Sequence, residues 1–186
     1  QNKKLVNPDY GGDGRKNDGA DTVAQPLIAF PGHFSPNDLL FYKGTQFPDR
    51  YKNGAFIAFH GSTIRAPYPQ AGYFVAFVPF KDGKPSGPWE VFADGFAQQD
   101  TIINTSDAKA RPMGLSIGPD GSLYVTESVN GKIWRIMFKG DKEAFGDQQL
   151  ATMEKRKMRT NIKTPDETTD NLLQGKESPG QGAYIR

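Results

Sequence analysis

The fold is decided by the stretch Tyr73-Phe74-Val75-Ala76-Phe77-Val78-Pro79-Phe80, in which every residue is hydrophobic. This run is far shorter than the roughly 20 residues that a membrane-spanning helix needs. Its aromatic and β-branched side chains favour a strand. Because alternate residues of a strand point to opposite faces, this strand is apolar on both faces. Such a strand is expected to lie between two layers of the protein.

The same succession of strands occurs twice around this stretch. The first copy comprises Leu39–Tyr42, Ala55–Phe59, Tyr73–Phe80 and Trp89–Phe92, and the second comprises Met113–Ile117, Ser122–Thr126 and Lys132–Phe138. Repeated four-stranded units are typical of a β-propeller, which closes with about four to eight of them. Two units are too few, so we predict an all-β fold that is part of a propeller. A two-sheet sandwich is the alternative that the strand spacing leaves open.

Turn dipeptides mark the hairpins between these strands. Asp120-Gly121 and Asn130-Gly131 each lie between apolar runs, and both dipeptides accept a positive φ at low cost. Asp82-Gly83 is predicted to turn the third strand of the first unit toward its fourth. The sequence therefore predicts three short hairpin connections at these positions.

The flanks differ from the repeated region in composition. Residues 1–25 have few apolar side chains and are predicted to form a rim loop, residues 26–140 the propeller blades, and residues 141–186 a non-globular linker. Ser178-Pro179-Gly180-Gln181 fits a capping box, which predicts that a helix begins at Pro179 close to the end of the sequence. We therefore expect the chain to be a fragment of a larger protein.

Composition excludes several classes of protein. The chain contains no cysteine, so it holds no disulfide and no zinc–cysteine site. The net charge is only +2, and basic residues cluster only at Lys155–Arg159, in the predicted linker. A nucleic-acid partner is therefore not expected.

Polar residues at the strand ends are the candidates for a functional site. His33 precedes the first strand of the first unit, and Arg111 has the equivalent place before the second unit. His60-Gly61-Ser62-Thr63-Ile64-Arg65 follows an apolar strand and supplies an imidazole, a hydroxyl and a guanidinium. An arginine fork matches a carboxylate, so an anionic ligand would suit these positions. The alternatives are a loop histidine, a turn that caps the sheet and an ion pair of Glu127 with Arg111.

A resemblance to a known family rests on several short motifs in the same order. They are His33, Ser35-Pro36-Asn37-Asp38-Leu39-Leu40-Phe41-Tyr42, Phe47-Pro48, Tyr51, His60-Gly61-Ser62, Arg65, Gly72-Tyr73, Arg111-Pro112-Met113-Gly114 and Pro119-Asp120-Gly121-Ser122-Leu123-Tyr124-Val125. This pattern resembles the sorbosone and glucose dehydrogenases, which are six-bladed propellers that use pyrroloquinoline quinone. The family often has Trp-Asn where this chain has Thr63-Ile64. The stretch from Gly175 to Tyr184 resembles the entry to a c-type cytochrome domain.

The resemblance implies a fold and an activity. The chain would form about the last two blades of a six-bladed propeller in a periplasmic or secreted quinoprotein. That enzyme would oxidise a sugar, aldose or polyol by hydride transfer to pyrroloquinoline quinone, and a cytochrome would accept the electrons. Calcium is an implied cofactor whose ligands stay unknown, and haem c is expected only in a downstream domain. The fragment alone would be inactive without the remaining blades, from the same parent chain or from a complementary fragment.

The resemblance also implies roles for individual residues. His33 would be the catalytic residue, and His33, His60, Arg65 and Arg111 would contact the cofactor. The competing hypothesis is a non-catalytic propeller that serves as a binding or scaffold module. A metal-dependent lactonase is a third hypothesis, for which Glu127 and Asn104 are the only ligand candidates and do not suffice.

Overall fold

The computed structural model describes residues 6, 8–13, 15–17, 24, 26–65 and 68–159 of the 186-residue chain. The strands are β1 (Pro36–Phe41), β2 (Ala55–Phe59), β3 (Phe74–Val78), β4 (Phe80–Lys81), β5 (Lys84–Pro85), β6 (Glu90–Ala93), β7 (Pro112–Ile117), β8 (Leu123–Glu127) and β9 (Ile133–Ile136). Among the described residues, one α-helix, α1, spans Asp147–Arg156, and three 3₁₀ turns span Pro8–Tyr10, Asp49–Tyr51 and Thr105–Asp107.

These strands form three antiparallel sheets. Sheet A has the order β1-β2-β3-β6, sheet B has the order β7-β8-β9, and β4 pairs with β5 in a small hairpin. Each of the seven longer strands lies where the sequence predicts one, and the regular secondary structure of the described residues is mostly β with one short helix. The coarse prediction of an all-β fold is therefore confirmed. The partial propeller and the domain boundaries stay predictions, and the predicted helix at Pro179 lies outside the described residues.

The decisive apolar stretch forms β3, and all five of its residues are fully buried. Its ladder with β2 is regular from Phe74 to Val78 and ends before Pro79. Proline lacks the N–H that would continue the ladder, so the strand breaks there and β4 begins at Phe80. The strand is buried on both faces, as the sequence predicted, because sheet A carries an apolar cluster on each side.

One of these clusters lies between sheets A and B, and we call it the seam. It contains Tyr42, Phe47, Tyr51, Phe56, Val75, Phe77, Phe96, Ala110, Leu123, Val125 and Met153. The cluster on the other face of sheet A is built around Phe59, Phe74 and Val91, and Phe30 and Trp89 pack against it. The seam fixes sheet B against sheet A, with β7 packed on both β1 and β2.

The predicted turns are present at the expected dipeptides. Asp82 and Gly83 have φ values of 52° and 76°, as a two-residue type I′ turn between β4 and β5 requires. Gly121 and Gly131 have φ values of 81° and 68° and lie in the β7–β8 and β8–β9 connections. These left-handed conformations explain why glycine stands at both positions.

The sequence did not predict helix α1, which lies within the stretch taken for a linker. Its side chain Met153 reaches the seam, and just beyond its end Lys157 lies 4.6 Å from the ring centre of Trp89. Arg159 forms an ion pair of 2.7 Å with Asp94. Because Met153 is the only buried residue of α1, the helix has no apolar stripe that a periodicity search would detect. No helix in the described part of the chain is long and apolar enough to cross a membrane.

The Tyr42 hydroxyl links the two sheets inside the seam. It donates a 2.8 Å hydrogen bond to the carbonyl of Gly121 in sheet B and accepts from the backbone N–H of Gln46 and Phe47 at 3.0 and 3.3 Å. The Gln46 side chain in turn pairs with both backbone groups of Phe138. Since Tyr42 is fully buried, water cannot take the place of its hydroxyl as hydrogen-bond partner of these backbone groups.

We predict that Tyr42→Phe lowers the free energy of unfolding by about 2 kcal/mol, because it leaves buried donors and an acceptor unpaired. Tyr51→Phe is the matched control. Tyr51 is similarly buried, and its hydroxyl makes a 3.5 Å contact with the Met153 sulfur, a weak acceptor. Urea unfolding of the full-length protein checks the difference, and equal losses in the two variants would contradict the linking role of Tyr42.

Candidate functional site

The antiparallel topology brings several loops to one end of the two sheets. In sheet A, the start of β1, the end of β2 and the start of β3 lie at the same end of the sheet. In sheet B, the start of β7 and the end of β8 lie at that end as well. We call this end the junction site, and it comprises His33–Ser35, His60–Arg65, Gly72–Tyr73, Arg111 and Ser128. The sequence predicted four residues of this set as site residues, namely His33, His60, Arg65 and Arg111.

The backbones of three segments approach each other closely here. The N–H of Gly61 donates to the carbonyl of Phe34 at 3.0 Å, and the N–H of His60 donates to the carbonyl of Ser35 at 2.9 Å. A Cβ atom at Gly72 would lie 2.6 Å from Cα of Gly61. Only glycine at both positions allows this approach. The close packing sets the direction in which the His60 side chain leaves the sheet.

Strained backbone conformations also collect at this end. His33, Ser35 and Tyr73 have φ values of 66°, 55° and 65° although none of them is glycine. Such left-handed conformations cost about 1–3 kcal/mol each and cluster at functional sites. The concentration of three of them at the junction site is a reason, independent of residue chemistry, to place function here.

Arg111 connects sheet B to this part of sheet A. Its Nε donates to the carbonyl of His60 at 3.1 Å and its Nη2 to the carbonyl of Gly61 at 2.8 Å. The guanidinium carbon lies 5.7 Å from the ring centre of Tyr73, in range for a cation–π contact. Arg111 therefore holds the His60-Gly61 backbone from the neighbouring sheet.

His60 is the half-buried titratable group at the centre of the site. Its Nε2 lies 2.7 Å from Oγ of Ser128, which belongs to sheet B. Burial lowers the pKa of His60, and the positive charge of Arg111 lowers it further. Because an unperturbed histidine titrates near pH 6.5, the imidazole of His60 is neutral at pH 7.

Arg65 and His33 occupy different surroundings. The Arg65 side chain is buried, with its guanidinium carbon 5.6 Å from the ring centre of Phe34 and 5.9 Å from that of Tyr68. Its Nη1 donates to the carbonyl of Pro69 at 3.1 Å. His33 is exposed on the loop that precedes β1. The structure thus brings His60 and Arg111 together, whereas Arg65 packs between aromatic rings of its own loop and of the loop before β1.

Glu127 supports the site without pairing with the Arg111 guanidinium. Its carboxylate accepts three 2.8 Å hydrogen bonds from the backbone N–H groups of Val129, Asn130 and Lys132. Burial alone would raise the pKa of Glu127, but these backbone donors outweigh burial and lower it. The carboxylate therefore stays charged and holds the β8–β9 turn that carries Ser128. Sequence reasoning missed Ser128, since an exposed loop serine carries no periodic signal.

Comparison with known proteins gives a family match. The model of the TrAA12-like family matches residues 9–139. An uncharacterized protein of Borreliella burgdorferi is 29% identical over 114 residues, which cover 61% of this chain and 28% of that protein. A calcium structure of a Trichoderma reesei protein of Carbohydrate-Active Enzymes Family AA12 is 22% identical with a TM-score of 0.48, over 70% of this chain and 31% of that one. An iodide structure from the same organism and family is 26% identical with a TM-score of 0.44, over 65% and 29%.

These findings correct the family that the sequence motifs implied. The matching model is TrAA12-like, so the predicted membership of the sorbosone and glucose dehydrogenase family is wrong. The predicted quinoprotein activity, pyrroloquinoline quinone, calcium and the cytochrome with its haem rested on that membership and are withdrawn with it. The alternative of a non-catalytic propeller module gains no support from the match either. Among the described residues, no group of three or more histidines and carboxylates could hold a metal ion. The chain spans less than a third of the length of the relatives it matches.

We predict that Gly61→Ala destabilises the protein by about 3 kcal/mol, because the new Cβ would lie 2.3 Å from the Tyr73 ring at a φ of 89°. Gly95→Ala is the matched control, since Gly95 has a φ of 85° and nothing within 4 Å of its Cβ position. This control should lose only about 1 kcal/mol through the left-handed backbone. Thermal unfolding of both variants checks the prediction, and equal losses would show that the close approach is not a constraint.

Proposed function

Because the chain belongs to the TrAA12-like family, we propose that it forms part of a carbohydrate-active oxidoreductase in which His60 accepts a proton from a sugar hydroxyl. The family shares its designation with the Trichoderma reesei carbohydrate-active enzymes of family AA12. The observation that carries the proposal is the 2.7 Å contact between His60 Nε2 and Ser128 Oγ, which orients a half-buried imidazole.

The chemistry of alcohol oxidation requires such a group. When a C–OH group of a sugar is oxidised to a carbonyl, the carbon loses two electrons with its hydrogen and the oxygen loses a proton. A neutral imidazole is able to take that proton at pH 7, whereas an imidazolium is not. The electrons pass to a two-electron redox acceptor of the parent protein, which the residues of this chain do not define. An aldose or a polyol is the substrate class that this chemistry suits.

His33 is the second histidine at the junction site and the alternative base. It is exposed on the loop before β1, and its φ of 66° is strained. His60 is the better candidate because its ring is partly buried and hydrogen-bonded, so it keeps one orientation while the proton moves. The two assignments predict different results for the two single variants.

We further propose that sheets A and B are neighbouring blades of a larger propeller. Both sheets present their first three strands in the same antiparallel order, and they stack face to face across the seam. On the outer face of sheet A, Leu39 and Phe41 are 53% and 46% exposed. Exposed apolar side chains on a sheet face are typical of a surface that another layer covers. The remaining sheets of the parent protein are the proposed partner of this face.

We expect His60→Asn to lower kcat of the full-length protein about 100-fold or more with aldoses or polyols, measured by reduction of an electron-accepting dye. His33→Asn is the matched control and should retain kcat within about threefold. For the wild type, kcat/KM should rise with pH through the lowered pKa of His60 and then level off, since only the neutral imidazole accepts a proton. A larger loss of kcat in His33→Asn than in His60→Asn would assign the base to His33. An inactive wild type would contradict the proposed oxidoreductase activity.

We expect Leu39→Glu to lower the free energy of unfolding of the full-length protein by about 3 kcal/mol, because a neighbouring sheet would bury the new charge without a partner. Lys84→Glu, in the exposed β4–β5 hairpin, is the control and should change it by less than about 0.5 kcal/mol. Urea unfolding measures both variants. A near-zero effect of Leu39→Glu would mean that this face is open to water in the parent protein.

A further inference from the structure

We infer that Ser128 is a positioning residue that holds the His60 ring in one orientation from the neighbouring sheet. This inference rests on the proposed function for its catalytic meaning, but the hydrogen bond to the ring can be measured without activity. It begins from the contact between His60 Nε2 and Ser128 Oγ, which at 2.7 Å is a short hydrogen bond between side chains of two different sheets.

Ser128 is held in place by three independent contacts. Its N–H donates to the carbonyl of Arg111 at 3.2 Å, which continues the ladder between β7 and β8. The Glu127 carboxylate binds the N–H groups of the residues that follow Ser128. The Asn130 amide donates to the carbonyl of Lys109 at 2.6 Å. The serine is therefore exposed to solvent and yet attached to a turn of fixed geometry.

The backbone around the imidazole is equally fixed. The N–H of His60 is bonded to Ser35 in its own sheet, and its carbonyl accepts from Arg111 of sheet B. With both ends of the contact anchored, the Nε2 atom faces the serine oxygen. Nδ1 makes no hydrogen bond to any residue in the described part of the chain, so it is the ring atom left for a substrate.

The direction of the hydrogen bond follows from the proposed proton transfer. A substrate hydroxyl can give its proton to Nδ1 only if Nδ1 carries none, so the single ring proton must sit on Nε2. Nε2–H then donates to Oγ of Ser128, which accepts. After the transfer both nitrogens carry protons, and Oγ still accepts from Nε2–H and so stabilises the imidazolium. No atoms are exchanged with Ser128. Because a serine hydroxyl also donates, its contact with Nε2 fits either tautomer, and the role of Ser128 is to hold the ring with Nε2 toward sheet B and Nδ1 toward the substrate.

The charged side chains at this site, Arg111 and Glu127, both come from sheet B. Arg111 opposes protonation of the ring, and the Glu127 carboxylate, although charged, is directed at its own turn. His33 lies on the neighbouring loop before β1. Loss of the serine oxygen would therefore leave the imidazolium with an opposing charge and without its acceptor, so the pKa of His60 would fall further.

The test compares Ser128→Ala, Ser128→Thr and the control Ser116→Ala in the full-length protein. Ser116 is an exposed serine of β7 that lies outside the junction site. Nitrogen-15 NMR of labelled histidine, with His60→Gln to assign the resonance, reports which ring nitrogen carries the proton. Kinetics with the aldose or polyol substrate report kcat, KM and the acid limb of the pH profile.

We expect Ser128→Ala to change the nitrogen-15 shift of His60 Nε2, which loses its hydrogen bond. The variant should also lower kcat about tenfold with KM changed less than twofold, and move the acid limb to lower pH. Ser128→Thr should restore all three, and Ser116→Ala should change none. Unchanged nitrogen shifts in Ser128→Ala would overturn the inference whatever the kinetics. If the wild type has no activity, the proposed function fails, while the NMR comparison alone still decides the role of Ser128.

Discussion

The apolar seam between sheets A and B is the constraint on which the rest of the structure depends. Phe56 and Phe77 of sheet A meet Leu123 and Val125 of sheet B there, and each fully buried side chain of this kind contributes about 1.5–3 kcal/mol. The polar contacts that join the sheets at the junction site each contribute only about 1 kcal/mol net. They cannot hold the sheets together by themselves. The seam brings the sheet ends within reach, and Arg111 and Ser128 then contact sheet A.

The parts of this structure that sequence could predict are those with a local physical signal. The strand β3 follows from an uninterrupted apolar run, and the turns follow from dipeptides that tolerate positive φ. Helix α1 has no such signal because it buries only Met153. Ser128 has none either, since its role comes from a residue 68 positions earlier in the chain. The sequence likewise predicted the same cofactor-binding role for Arg65 and Arg111. Only the three-dimensional packing shows that the two side chains have different surroundings.

The incorrect family prediction has a physical explanation in the motifs that carried it. Gly61 is required by a close approach of backbone, and the hydroxyl of Ser62 bonds the amide oxygen of Gln70 at 2.7 Å and accepts the N–H of Ala71 at 2.8 Å. Gly121 lies in a tight turn against Gln46. These residues allow close backbone approach, pair polar groups and form tight turns where strands end. Sheets in unrelated enzymes have the same requirements at their strand ends. Short motifs of this kind report local backbone geometry and do not identify a cofactor.

At the junction site, keeping the imidazole of His60 neutral before proton transfer conflicts with stabilising its imidazolium afterwards. Burial and the charge of Arg111 lower the pKa of His60, which keeps its imidazole neutral and ready to accept a proton. The same charge makes the resulting imidazolium less stable, because the Arg111 guanidinium donates to carbonyls and is not neutralised by them. A base that is always neutral but weak gains little rate. An oxygen acceptor on the opposite ring nitrogen offsets this weakness without adding a charge, and Ser128 supplies that acceptor from the same sheet that supplies the arginine.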